Sequence, residues 1–335
     1  MHIPDNYLSP KTCAVFAATV IPIIGYSAKK IKYEVKNKKE TIPLMAIASS
    51  LSFLLMMFNI PLPGGTTAHA VGGCLLAVLI GPYEACIAIT ICLILQALLF
   101  GDGGILSLGV NIFNMAFVMP FSGYYIYSFL KKIFNEKGEI IGVAVGSYLS
   151  INIAAFLVAI ELGIQPLIAK DQFNNPLYNP YPLSITIPAM VGAHIIIGIV
   201  ESIFTISVYK IINKTNFNRE SNKEKNFIYN PKIKIRRFYK IIGVLILLCP
   251  IGLIASGTAW GEWDVSGLAE SLKSYNMTQS IPKGIESGIS FSALFADYKI
   301  LNIQDSIGYV LCAVTAIIIF VLLYRVIFRE RKVKL

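Results

Sequence analysis

At 335 residues, 55% hydrophobic and only 14% charged, with a mean hydropathy of +0.66, the chain has the composition of an integral membrane protein. Its net charge of +10 does not mark a nucleic-acid binder, because 24 of the 29 Lys and Arg residues gather in four stretches between apolar runs. The six cysteines lie scattered in those runs without Cys-x-x-Cys spacing, which excludes a zinc site or disulfide framework and leaves buried packing residues.

The chain starts Met1-His2-Ile3-Pro4-Asp5-Asn6-Tyr7-Leu8-Ser9-Pro10. With a free amine, Met1 and His2 form a tridentate chelate from the terminal nitrogen, the deprotonated His2 amide and His2 Nδ1. The fused rings hold the three nitrogens near one plane. Such a donor set suits Ni(II) or Cu(II), and suits Zn, Ca or Mg poorly. The competing reading is an ordinary solvated histidine. Pro4, Asp5 and Pro10 weigh against it by stiffening a terminus that would otherwise fray. Lys29, Lys30 and Lys32 follow the first apolar run rather than precede it, so no removable leader is expected. Met1 is expected to stay, because His2 is too large for the usual trimming.

Apolar segments run at 10–28, 42–60, 71–81, 83–100, 105–130, 139–161, 183–209, 241–257 and 306–328. Gly81-Pro82 breaks what would otherwise be one helix across 71–100. The basic stretches are 29–41, 131–138, 209–240 and 325–335, and the positive-inside rule places all four on the cytoplasmic side. An even number of crossings must then separate the first two. The short segment 71–81 therefore has to cross, or nearly cross, as a tilted or re-entrant element. The expected result is an all-α membrane protein of nine segments, with its N-terminus outside and its C-terminus cytoplasmic.

That topology places the connection 58–70 on the side of Met1 and His2. It reads Phe58-Asn59-Ile60-Pro61-Leu62-Pro63-Gly64-Gly65-Thr66-Thr67-Ala68-His69-Ala70, an irregular strip able to fold over other elements. Only two histidines besides His2 exist, and on this face His69 is the best candidate for a fourth ligand. The turn Phe100-Gly101-Asp102-Gly103-Gly104 falls on the same side. Asp102 can pair with an imidazole beside the metal or cap the following helix, and capping is the expectation. Asn111 and Asn114 share a helix face and, with Gln96, are expected to hold loops rather than metal. Asp5 is a further candidate for supporting the site.

Segment 183–209 carries His194 about three turns down and Glu201 deeper. For His194 a contact beneath the site and an interhelical hydrogen bond stay open, and Glu201 is expected to pair with a helix or a partner subunit. Glu84 and Glu161 end their segments and read as interfacial. The stretch 213–240 reads as a basic cytoplasmic linker resting on anionic headgroups, dividing a domain at 1–212 from a two-crossing module at 241–335. Between its crossings that module carries Trp260 and Trp263 as interfacial aromatics. No phosphate-binding loop, Gly-x-Ser-x-Gly or His-Glu-x-x-His occurs, so the chain lacks the equipment to use ATP or to hydrolyse within the membrane.

Residues 1–10, Met57–Gly72, Phe100–Ile105, Asn111–Phe117 and Asn179–Leu183 together resemble the CbiM/NikM family, the substrate-binding membrane subunits of energy-coupling-factor (ECF) transporters for cobalt and nickel. Position 6 is Asn where the family pattern has Gly. The resemblance implies a seven-helix module over about 1–212 that binds metal through the Met1 amine, the His2 amide and imidazole, and His69. It further implies Ni2+ or Co2+ as the transported ion rather than a catalytic cofactor. Its implied partners are a membrane scaffold subunit and cytoplasmic ATPases in a prokaryotic plasma membrane. The strip around His69 resembles the nickel branch; cobalt uptake for cobalamin biosynthesis is the alternative, and an intramembrane metalloenzyme is the rival of another class. The region 241–335 resembles the small accessory subunit fused to nickel members, through Gly261-Glu262-Trp263. Its Pro282-Lys283-Gly284-Ile285-Glu286 departs from the usual Pro-Asp-Gly-Leu-Glu.

Overall fold

The computed structural model describes residues 1–37, 41–217, 231–255, 257–277 and 280–327. All nine expected apolar segments are helical there. Helix α1 (Pro10–Asn37) opens with Ser9 as its cap, the hydroxyl accepting the Thr12 N–H at 3.2 Å, and with Pro10 in the first helical position. Val15 and Ile21 lie 63% and 67% exposed on its flank, as lipid-facing residues do. Helix α2 (Thr41–Met56) is apolar all round and almost wholly buried, which puts it at the centre of the bundle.

A two-stranded hairpin follows, β1 (Ile60–Leu62) paired antiparallel with β2 (Thr66–Ala68) across Gly64-Gly65. Then comes α3 (Gly73–Ile80), whose 8 residues rise about 12 Å against the roughly 30 Å of a hydrocarbon core. The turn at its far end lies by the basic end of α1, where Tyr83 packs on Tyr26, so the irregular strip and this helix together pass through the bundle. The chain turns at Gly81 (φ 111°) into α4 (Pro82–Leu95), which runs on through a wide π-type turn at Gln96–Phe100. Helix α5 (Leu108–Asn111) continues through another such turn, Ile112–Val118, into α6 (Met119–Gly163). Asn135 (φ 50°, ψ −125°) folds α6 into two helices within the basic stretch 131–138. They lie close enough that a Cβ on Gly146 would meet the Gly123 carbonyl at 2.8 Å.

Short α7 (Gln165–Ile168) leads by a loop to α8 (Leu183–Phe217), which packs along α6. Much of the expected cytoplasmic linker, residues 218–230, lies outside the described residues. Its last part is not linker: Pro231 already starts α9 (Pro231–Leu248), extended by a 3-10 turn to Ile254. The connection to the last long helix carries α10 (Val265–Ser274) and α11 (Lys283–Glu286), and α12 (Asp305–Ile327) closes the fold against α2. There the Tyr324 and Ser49 hydroxyls lie 3.0 Å apart, and the Tyr309 hydroxyl donates to the Met57 carbonyl at 2.7 Å.

The protein is thus an all-α integral membrane protein. Among the described residues, six helices are long and apolar enough to span a bilayer: Pro10–Lys32, Pro82–Phe100, Lys137–Ile168, Leu183–Ile212, Ile235–Ile254 and Asp305–Ile327. The six cysteines are free and buried.

Candidate metal centre

Residues 1–9 do not fray; they thread into the end of the bundle. Ile3 exchanges two bonds with Asn111, its N–H donating to Oδ1 at 2.8 Å and its carbonyl accepting from Nδ2 at 3.1 Å. The same carbonyl accepts from the Gly104 N–H at 3.0 Å and from the Ser107 hydroxyl. The Asp5 carboxylate accepts the Ile105 and Leu106 N–H groups at 3.0 and 2.7 Å, so Asp5 satisfies the turn that Asp102 was expected to cap. Gly104 is required by this approach, since a Cβ there would stand 2.3 Å from the Asp5 nitrogen. Asn6 takes φ 70°, a left-handed conformation that asparagine tolerates better than most residues, in the place of the family's glycine.

This threading brings the two histidines together. His2 Nδ1 and His69 Nε2 face each other at 3.2 Å, in rings only 4% exposed. The Ala70 carbonyl, 3.2 Å from His69 Nδ1, can only accept, so Nδ1 carries the hydrogen and Nε2 presents its lone pair. Burial first, then the Met1 amine and the His2 ring, hold the His69 imidazole well below its usual range and therefore neutral. His2 Nδ1 also lies 3.2 Å from Asp102 Oδ1, and the Met1 amine lies 3.4 Å from Glu262 Oε1. Two nitrogens held side by side on one ion at about 2.0–2.1 Å stand roughly 2.9 Å apart. A separation of 3.2 Å is close to that spacing.

The remaining candidates separate clearly. Asp102 is in contact with His2 rather than a cap, and it is itself held by Gln96 Nε2 at 3.1 Å and by the Tyr298 hydroxyl at 2.5 Å. Asn114 does not hold a loop: its Nδ2 reaches Glu161 Oε2 at 2.6 Å. Glu161 and Glu84, read as interfacial, are buried at 5% and 4% exposure, because neighbouring helices cover both segment ends. His194 donates from Nδ1 to the Met190 carbonyl of its own helix at 2.7 Å, and its Nε2 is buried without a protein partner. Among the described residues it makes no hydrogen bond to another helix, but it lies within electrostatic reach of His69 and of the Met1 amine, beneath the site. The Glu201 carboxylate receives the Val71 and Gly72 N–H groups, both at 2.9 Å, so it pairs with the start of α3.

Met1, His2, His69 and Asp102 all lie within the first 218 residues. A family model described as "Cobalt uptake substrate-specific transmembrane region", CbiM, matches residues 2–218. The chain belongs to the CbiM family. Over 327 residues it is 48% identical to "Probable fused nickel transport protein LarMN" of Lactiplantibacillus plantarum, covering 97% of each chain. It is 38% identical over 335 residues to "Fused nickel transport protein NikMN" of Rhodobacter capsulatus, covering 96% of this chain and 95% of that one. A crystal structure of a transition metal transporter matches with a TM-score of 0.63 at 46% identity, over 69% of this chain and 100% of the other. Membership of the CbiM family makes the protein a membrane component of nickel or cobalt transport, not an enzyme.

A second family model, the PDGLE domain, matches residues 236–332. That region supplies the neighbours of the CbiM site that sequence reading missed: Glu262 at the Met1 amine, Tyr298 on Asp102, and the Trp263 carbonyl that accepts the Tyr7 hydroxyl at 2.9 Å. Gly261-Glu262-Trp263 did carry a signal, since it resembles the accessory subunit, but nothing in it names the amine as the carboxylate's partner.

Proposed function

We propose that this chain captures Ni2+ for import, holding it in a plane of four nitrogens: the Met1 amine, the His2 amide, His2 Nδ1 and His69 Nε2. The observation that carries the reading is the buried pair of ring nitrogens at 3.2 Å, with His69 fixed in the tautomer that offers Nε2. The chelating amine and amide belong to the residue pair that supplies His2, so one strand brings three donors and the strip after β2 brings the fourth. Asp102, Asn111 and Asp5 support the site by holding His2 and the strand behind it.

An all-nitrogen planar set favours nickel over harder ions, and the two fused relatives are named for nickel. The family description names cobalt, which makes Co2+ the second reading. The positive stretches favour a site facing the exterior. The ion would pass inward in an ECF-type complex, through a membrane scaffold subunit driven by cytoplasmic ATPases. Amine, amide and imidazole must shed protons to bind, so capture weakens in acid.

Calorimetric titration of the purified full chain with NiCl2 and CoCl2 tests this. Wild type is expected to take up one nickel per chain, with the visible absorption of a planar, diamagnetic complex. His2→Ala and His69→Ala are each expected to weaken it by more than about 100-fold, a larger loss than removal of a supporting contact. Residues added before Met1 should do the same by turning the amine into an amide. Wild-type affinity in both alanine variants would remove the site.

A further inference from the structure

We propose that Glu262 is a positioning residue of the metal site: it holds the Met1 amine in place while the site is empty and, with Asp102, forms an acidic mouth that draws the divalent ion in. This rests on the reading of Met1, His2 and His69 as ligands, and it assigns to the C-terminal region a part in capture itself.

The donors are almost fully buried, whereas the two carboxylates touching them are not. The Met1 and His2 side chains are 0% and 1% exposed, against 21% for Glu262 and 18% for Asp102. Each carboxylate touches a different end of the same chelate, Glu262 at the amine and Asp102 at the ring nitrogen. A cation approaching the buried nitrogens from solvent therefore meets these two oxygen groups first.

The placement of Glu262 is over-determined by the segments that carry the ligands. Residues 257–259 run beside β2, with Ala259 bridged in parallel to Thr67 and the Thr66 hydroxyl donating to the Thr258 carbonyl at 3.1 Å. Gly257 lies so close that a Cβ would meet the Gly65 carbonyl at 2.1 Å. The chain then turns at Gly261 (φ 84°), the Glu262 N–H donating to the Ala259 carbonyl at 3.0 Å. The next residue, Trp263, accepts the Tyr7 hydroxyl of the N-terminal strand. Glu262 is thus fixed between the strip leading to His69 and the strand leading from His2.

Charge decides what the carboxylate does for capture. A partly exposed ion pair is worth at most a factor of roughly five in an equilibrium, so releasing the amine from Glu262 hinders binding little. The same carboxylate attracts a dication about twice as strongly as a monovalent ammonium at equal distance. The net effect favours the incoming ion.

The test follows nickel association by stopped flow, with the full-length protein in detergent, over a range of ionic strengths. Glu262→Gln is expected to slow association about tenfold at low salt, with the difference vanishing at high salt. Glu262→Asp should recover most of the rate, and Glu270→Gln, an exposed carboxylate of the same region that touches neither donor, should match wild type. A Glu262→Gln rate and salt slope equal to wild type, while His69→Ala abolishes binding, would overturn the proposal and leave the ligand set standing. A salt-independent slowing shared by Gln and Asp would also overturn it, as the mark of a merely structural strap. Unimpaired binding in His69→Ala would remove the site and this inference together.

Discussion

Glu201 and His69 are both buried polar groups on or against the same stretch of chain, yet the fold treats them in opposite ways. Glu201, fully buried on α8, has its oxygens taken up by the N–H groups of Val71 and Gly72, where α3 begins. Helix starts carry unpaired N–H groups and a partial positive charge, and the carboxylate satisfies both. His69, two residues before Val71, gives one nitrogen to the Ala70 carbonyl, while the other faces His2 Nδ1 at 3.2 Å. The first region is complete as it stands and fixes where the strip sits. The second sets two imidazole nitrogens against each other, the pair proposed above to take the ion.

If that division holds, substitutions in the two regions should fail differently. Glu201→Ala leaves two buried N–H groups unpaired and should cost about 2–5 kcal/mol of stability, read as a fall in the detergent melting temperature. Glu201→Gln should cost less, since its amide oxygen still accepts one bond. Both variants should bind nickel in the fraction that remains folded. Normal stability with lost nickel would instead make Glu201 part of the site.

Asp102→Asn sharpens the contrast from the other side. The residue touches His2 Nδ1 and joins it to Gln96 and Tyr298, so it sits beside a proposed donor. Nickel affinity should fall severalfold, because the negative charge sits beside Nδ1, the nitrogen proposed to meet the ion, with little change in melting temperature. A large stability loss with intact affinity would assign Asp102 to packing.

A pH titration of the metal-free protein gives a smaller effect. Burial holds folded His69 neutral well below its usual range, while the unfolded chain takes up a proton near pH 6.5. The unfolded state then binds more protons as the pH falls. The His69 contribution to stability is therefore full above about pH 6.5 and drops by up to about 1.4 kcal/mol per unit below it, until the folded ring also titrates. His69→Asn should flatten the melting temperature between pH 6.5 and 5; an unchanged slope would show that the ring titrates alike in both states.

How much of this was legible depended on the distance over which each residue acts. The proposed chelate is a property of two adjacent residues, and the apolar runs with their flanking lysines located nine segments that are helical among the described residues. Hydropathy could not show that the third of them is helical for only eight residues, because its start is set by the Glu201 carboxylate of α8 accepting the Val71 and Gly72 N–H groups. Burial of Glu161 was hidden for the same reason: its cover is Asn114, 47 residues earlier. The Met1–Glu262 contact joins residues 261 apart and belongs to the tertiary fold alone. Pro231 was read as linker because Lys232, Lys234, Arg236, Arg237 and Lys240 mask the helix that begins there.

The smallest effect falls on Asn6, where backbone and tether can be separated. Its amide donates to the Ile289 carbonyl at 2.9 Å and accepts the Ile289 N–H at 3.0 Å, while its backbone sits at φ 70°. Asn6→Gly removes both exposed bonds but keeps the left-handed conformation without strain, so a loss of about 1 kcal/mol is expected. Asn6→Ala removes the same bonds and, relative to glycine, carries the roughly 1–2 kcal/mol that a Cβ costs in that region. Alanine should therefore melt below glycine, and both should bind nickel nearly as tightly as wild type, because Ile3 and Asp5 still anchor the strand. If alanine and glycine melt together, the backbone at position 6 relaxes. The terminal strand would then be held by its bonds to Asn111 and the Gly104 turn, not by the shape of its own bend.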